Sequence, residues 1–275
     1  MKARWKIGIG LAVLGAVGFL LLGRGNSAQH ELEETKRLLR KEGFKVELKE
    51  FNLSLSTEES RRAALLGTTT RAAITNRIRQ RPVMRDVPRL MKPAGKDTAL
   101  VAWKLKTIAG VNGEDLWPEM RDASATDHER LEAARQAATS GPIRFEPIGG
   151  PGLSALLPYL ADLKQLETSF ALETVLALHD GQAAEAWSNL LASTCLVTEY
   201  LPEPIEVSQL VRMGCTAIAY EALWNALQSR EWTDPQMADL QARWEGVDFW
   251  NRLPDTAAFM RASVAFALQQ SASNH

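Results

Sequence analysis

Little in this chain suits metal or thiol chemistry: 275 residues hold two cysteines and four histidines. His30, His128, His179 and His275 stand apart. None has the four-residue spacing that places two ligands on one helix face, so no metal-binding residue is expected. A Gly-x-Ser-x-Gly elbow is absent. The stretch 94–98 has Asp97 where a phosphate loop needs a hydroxyl, and Leu90 where it needs a glycine. Neither charge sign dominates. With 32 basic and 33 acidic residues the net is −1, which excludes a strongly basic nucleic-acid binder, and 45% hydrophobic content excludes a wholly disordered chain. Long apolar runs are missing too, with one exception.

That exception is residues 7–23, which carry no charged or strongly polar side chain. At about 1.5 Å per residue they span roughly 25 Å as a helix, within the accepted range for one membrane crossing. Lys2, Arg4 and Lys6 precede the run and only Arg24 follows it closely. The positive-inside rule therefore leaves the amino terminus in the cytoplasm and sends the rest of the chain outside. A cleaved export signal is the competing reading. Its candidate sites, after Gly25 and after Ala28, place Arg24 or Asn26 awkwardly, so an uncleaved anchor is expected.

Beyond the anchor, charged residues 31–42 predict a helix stopped by Gly43. Phe44, Val46 and Leu48, then Phe51, Leu53 and Leu55, alternate with polar residues and predict a short strand pair or bulged strand. Ser56 with Glu59 is a capping box for a helix to about Arg79, and Thr126 with Glu129 is a second, for a helix to about Thr139. Residues 99–109 fit strand or helix. A boundary falls at 145–152, with Pro147, Gly149, Gly150 and Pro151. Leu156, Leu160, Leu163, Leu166 and Phe170 then recur at steps of three and four, the mark of an amphipathic helix. Further helices are expected at about 183–201 and 205–228, after Thr233-Asp-Pro235, and after Leu253-Pro254. The helix at 205–228 is apolar on most sides and is expected to be central. Val211, Cys215, Ile218 and Ala222 form one stripe, and Leu210, Ala217, Leu223 and Leu227 the adjoining surface.

Charge is unevenly spread. Residues 24–92 hold 16 basic and 9 acidic residues, whereas 145–275 hold 6 basic and 16 acidic. The basic stretch 71–92 reads as a solvated face or a partner for the acidic helices rather than a lipid contact. Cys195 and Cys215 are awkwardly offset for a disulfide across a helical hairpin and read as small buried side chains. His179 beside Asp180 reads as a helix end, and Glu203 with Glu206 as solvated carboxylates. Trp187, Trp224, Trp232, Trp244 and Trp250 read as core or helix-interface residues. Residues 181–186 have the spacing of a tetratricopeptide hairpin, but Cys215 stands where the repeat needs glycine.

The anchor, Gly-Pro-Ile-Arg-Phe at 141–145, Ala-Leu-His-Asp-Gly at 177–181, and Leu-Pro-Glu-Pro-Ile at 201–205 leading to Leu-Val-Arg at 210–212 together resemble a recurring group of bacterial proteins. Members of that group are single-pass, extracytoplasmic and helical, and the likeness covers most of residues 30–245. The group carries no established activity, so the resemblance implies no functional residue.

The expected fold is mainly α: an amino-terminal transmembrane helix (1–25), an irregular mixed region (26–145) and a carboxyl-terminal bundle of helical hairpins (146–275) that can pack as one domain with the middle region. No catalytic, cofactor-binding or metal residue is expected. The expected function is a non-enzymatic interaction or scaffold module of the cell inner membrane, held by residues 7–23 and using its acidic helical layer to bind another envelope protein. The alternatives are an exported enzyme acting on an envelope polymer, or a soluble periplasmic protein after signal cleavage.

Overall fold

The structure is a computed structural model that describes residues 25–74, 101–109, 113–148 and 156–273. The apolar run 7–23, Arg24, residues 94–98, residues 149–152 and most of the basic stretch 71–92 lie outside them. Among the described residues the protein is mainly helical, with no strand and with no helix long and apolar enough to cross a membrane. Its helices are α1 (Gly25–Lys41), α2 (Thr57–Ile74), α3 (Trp117–Thr139), α4 (Tyr159–His179), α5 (Ala183–Thr198), α6 (Glu206–Ala226), α7 (Asp234–Glu245) and α8 (Leu253–Ser273). The chain divides into two compact units: Met1–Leu53, Pro147–Leu156 and Asn251–His275 form one, Ser54–Glu146 and Leu157–Trp250 the other.

In the first unit the expected strand pair at 44–55 is replaced by irregular chain around a single 3-10 turn, Leu48–Glu50. A strand needs a partner, and none is present among the described residues. The backbone is satisfied locally instead, with the Val46 amide donating to Glu50 Oε2 at 2.9 Å. Of the alternating apolar side chains, Phe51 finds cover on α8, where it meets the Phe259 ring edge-on at 5.1 Å. Lys45 pairs with Asp255 at 3.0 Å, and Arg261 donates to the Lys45 carbonyl at 2.9 Å.

The second unit is organised around α4. Its leucine pattern buries Leu163, Leu166, Phe170, Leu172, Val175 and Leu176, and α2, α3, α5 and α6 pack on it. Each such side chain contributes about 1.5–3 kcal/mol of transfer free energy, so α4 dominates the interior. The helix begins after Pro158, which needs no amide partner there. It ends in a tight hairpin where Gly181 adopts φ +72°, a conformation a side chain resists, and the Gln182 amide reaches back to the Ala177 carbonyl at 2.7 Å.

The α2 start follows the Ser56–Glu59 capping box: the Ser56 amide donates to Glu59 Oε2 at 2.7 Å and the Glu59 amide to Ser56 Oγ at 3.2 Å. The Thr126–Glu129 box is not a helix start. Helix α3 opens nine residues earlier, at Trp117-Pro118, where Asp115 Oδ1 accepts the Trp117 amide at 3.3 Å, and Thr126 is interior, its hydroxyl donating to the Asp122 carbonyl. The Thr233 start of α7 is a full capping box with Gln236. Residues 101–109 form a short 3-10 turn, Ala102–Lys104.

Helix α6 differs from its expected central role. Cys215, Ala219, Ala222 and Ala226 are buried and Val211 and Ile218 are half-buried, but Leu210, Ala217 and Leu227 are exposed. The apolar set that nearly encircles α6 is covered on one side only, because its neighbours α4 and α5 lie on that side.

Candidate functional site

The chain leaves α5 through a turn that the rest of the unit holds in place. Ile143 donates to the Glu199 carbonyl and accepts from the Leu201 amide, both at 2.9 Å, which fixes Tyr200 against residues 141–145. Pro202 and Pro204 end α5, and extended Ile205 opens α6. The turn carries a buried polar cluster. Phe145 stacks on Tyr159 at 4.5 Å and meets the Tyr200 ring edge-on at 6.0 Å. The Tyr200 hydroxyl donates to Glu203 Oε2 at 3.2 Å. Glu203 is only 5% exposed, and burial raises its pKa even though the Ser208 and Tyr159 hydroxyls favour the charged form. Tyr159 and Tyr200 are pushed upward by burial first and by Glu203 second. Two phenols and a carboxyl biased toward its neutral form supply hydrogen bonds rather than a nucleophile.

Sequence adjacency had put Glu203 beside Glu206 as solvated carboxylates. The structure separates them, burying Glu203 and leaving Glu206 exposed at the start of α6.

Above this cluster the outer face of α6 is apolar and exposed. Val207, Leu210, Ala217, Tyr220 and Leu227 are exposed, Leu210 by 59%, and Met213, Gly214 and Trp224 are half-buried. These positions follow one another at steps of three and four, so they form one continuous row on the helix. A Cβ placed on Gly214 would meet nothing within 4 Å. Tyr220 is held by stacking on Trp244 at 4.4 Å. Between Val207 and Leu227 one charged side chain, half-buried Glu221, lies on the row; Arg212 faces inward and donates to the Val197 carbonyl at 3.2 Å. Isolated exposed apolar residues are ordinary, whereas a continuous row along nearly six turns is what a recognition surface looks like.

Other sequence candidates have structural roles. His179 stacks on Trp117 with centroids 3.8 Å apart and its Nδ1 lies 3.0 Å from the Trp103 carbonyl, while Asp180 is clamped by Arg121. His30 and His128 are exposed, and no cluster of metal ligands occurs among the described residues. Cys195 and Cys215 are free and buried, and burial raises their thiols to about 11 and about 12. Of the five carboxyl-half tryptophans, Trp187 and Trp232 pair at 5.9 Å and Trp244 stacks on Tyr220, whereas Trp250 is 64% exposed and departs from the core or interface role.

Two carboxyls escaped the sequence reading. Glu167 is fully buried in α4, accepts a hydrogen bond from Ser193 of α5, and is pushed well above the usual carboxylate range by burial. Its signal was present: Glu167 lies four after Leu163 and three before Phe170, on the apolar stripe. Glu173 accepts from Ser124 at 2.6 Å and is raised by burial to about 7. In the first unit a cavity of about 210 Å³ is lined by Lys36, Glu47, Lys49 and Phe266 among others; its one carboxylate, Glu47, is already 2.8 Å from Lys49. Compared with protein-family models, curated proteins and solved structures, the chain gives no match to any.

Proposed function

We propose that this protein is a membrane-tethered, non-enzymatic interaction module of the cell envelope. Residues 7–23 hold it in the inner membrane with the amino terminus in the cytoplasm, and the helical body works outside. The observation that carries the reading is the apolar row on α6: a helix whose inner face is locked into the core offers a rigid, largely apolar outer face for a protein partner. Exposed Glu206 opens the same helix at the end of the row, where charge guides encounter more than it adds affinity.

The test is photocrosslinking in intact membranes, with the reactive group at Leu210 and a control at exposed Gln136 on α3. A discrete adduct at 210 and none at 136 is expected; equal labelling at both, or none at 210, counts against the reading. Topology is tested separately. A reporter that is active only after export, fused after Gln270, should be active and should stay in the membrane through a carbonate wash. Activity only in the cytoplasm rejects the orientation, and release of a chain shortened by 25 to 28 residues favours signal cleavage.

A further inference from the structure

We infer that the partner of the α6 face is a second copy of this chain, bound antiparallel through α6 itself; this rests on the interface reading above and deepens it. The row has matching spacing from either end. Val207 and Leu227, Leu210 and Trp224, and Gly214 and Tyr220 lie at equal distances on the two sides of Ala217. In an antiparallel pair centred on Ala217, Val207 and Leu210 of one copy therefore lie level with Leu227 and Trp224 of the other. Apolar residues meet apolar residues over a length of about 30 Å, with one charged side chain on the arc, half-buried Glu221, level with Met213 of the other copy. Small residues occupy the middle: Ala217 is exposed and the space over Gly214 is open, so the two backbones can approach closely where they cross. The open space over Gly214 lies level with the Tyr220 ring of the other copy, and that ring is already held by Trp244.

Charge selects the direction. Exposed Glu206 opens α6 and exposed Arg230 follows its end by four residues. Antiparallel pairing brings Glu206 of each copy toward Arg230 of the other, whereas parallel pairing sets Glu206 against Glu206 and Glu221 against Glu221. The helix dipoles also oppose one another in the antiparallel arrangement. An interface that matches itself on reversal is the isologous kind found in two-fold dimers, and a partner of unrelated sequence would not require that match.

The test uses the full chain in membranes, where the native thiols are buried. Ala217→Cys lies nearest the two-fold and should give a disulfide-linked species at twice the chain mass on mild oxidation. Leu210→Cys and Trp224→Cys, expressed together with tags of different size, should link to each other. Leu210→Cys alone should not, because the two copies of residue 210 are about 21 Å apart along the axis. Gly214→Leu, placed in open space, should abolish the Ala217→Cys crosslink without changing the far-UV spectrum or the Tm. No Ala217→Cys dimer, self-linking of Leu210→Cys equal to the mixed pair, or a crosslink unaffected by Gly214→Leu each overturns the inference. A photo-adduct at 210 with a different protein, in the absence of any dimer, overturns the second copy and leaves the interface reading standing. The absence of both overturns both.

Discussion

At the scale of single residues, this chain places carboxyls where charge is expensive. Glu167, Glu173 and Glu203 all have folded-state pKa values above the 4.5 of a free side chain, and burial is the first cause in each. The native state therefore keeps protons that the unfolded chain releases. Stability from Glu173 is present in full below about pH 4.5 and is lost as pH rises toward its folded value of about 7. Glu173→Gln removes that dependence. The Tm difference between Glu173→Gln and the parent should grow in favour of the variant from pH 4.5 to 7, and a constant difference would show that the carboxyl is not held neutral. Arg62 is the complementary case. Its guanidinium lies against Gly141, whose φ of +138° suits glycine, and donates to Ser140 Oγ at 2.8 Å and the Pro142 carbonyl at 2.6 Å. Arg62→Ala should cost about 2–3 kcal/mol in urea unfolding because it removes the charge-assisted hydrogen bonds of a buried guanidinium. Arg121→Ala, which removes a partly exposed pair with Asp180, should cost less than about 1 kcal/mol. Similar costs for the two would contradict the distinction.

At the scale of elements, helix existence was legible and helix surroundings were not. The three-and-four periodicity of Leu160, Leu163, Leu166 and Phe170 located α4, and Thr233-Asp-Pro235 located the start of α7, because local chemistry sets both. The start of α3 was missed although Asp115 and Pro118 resemble the α7 start; the Thr126–Glu129 box matched a local pattern that the longer helix overrides. The alternation at 44–55 was real but met a helix instead of a strand, which sequence spacing alone does not distinguish. For α6, apolar residues on most sides implied full burial, and only the positions of α4 and α5 decide which side is covered. The two faces should respond differently to substitution. Ala222→Asp places a carboxylate in the core and should cost at least about 3 kcal/mol, while Leu210→Ser should change stability by no more than about 0.5 kcal/mol when melted dilute enough that self-pairing does not contribute. Equal losses would mean that the outer face is packed.

For the whole molecule, the opposite charge of the two halves was legible in the sequence, while the candidate surface emerged only when the bundle was assembled. Eight positions spread over twenty-one residues become one row because α6 lies at the edge of the core and not at its centre. The proposed function rests on that asymmetry: a rigid helix, fixed from behind by Ala219, Ala222 and the Asn225 contact to the Ala102 amide at 2.9 Å, presents an exposed apolar face. The most direct measurement is the rate at which a membrane-impermeant maleimide labels Leu210→Cys, compared with Gln136→Cys, on intact spheroplasts. Both positions are exposed in the isolated chain. A module tethered outside the cytoplasm and docked through α6 predicts rapid labelling at 136 and strong protection at 210, with protection lost after Gly214→Leu. Equally rapid labelling at both positions would show that nothing covers the α6 face and would contradict the account.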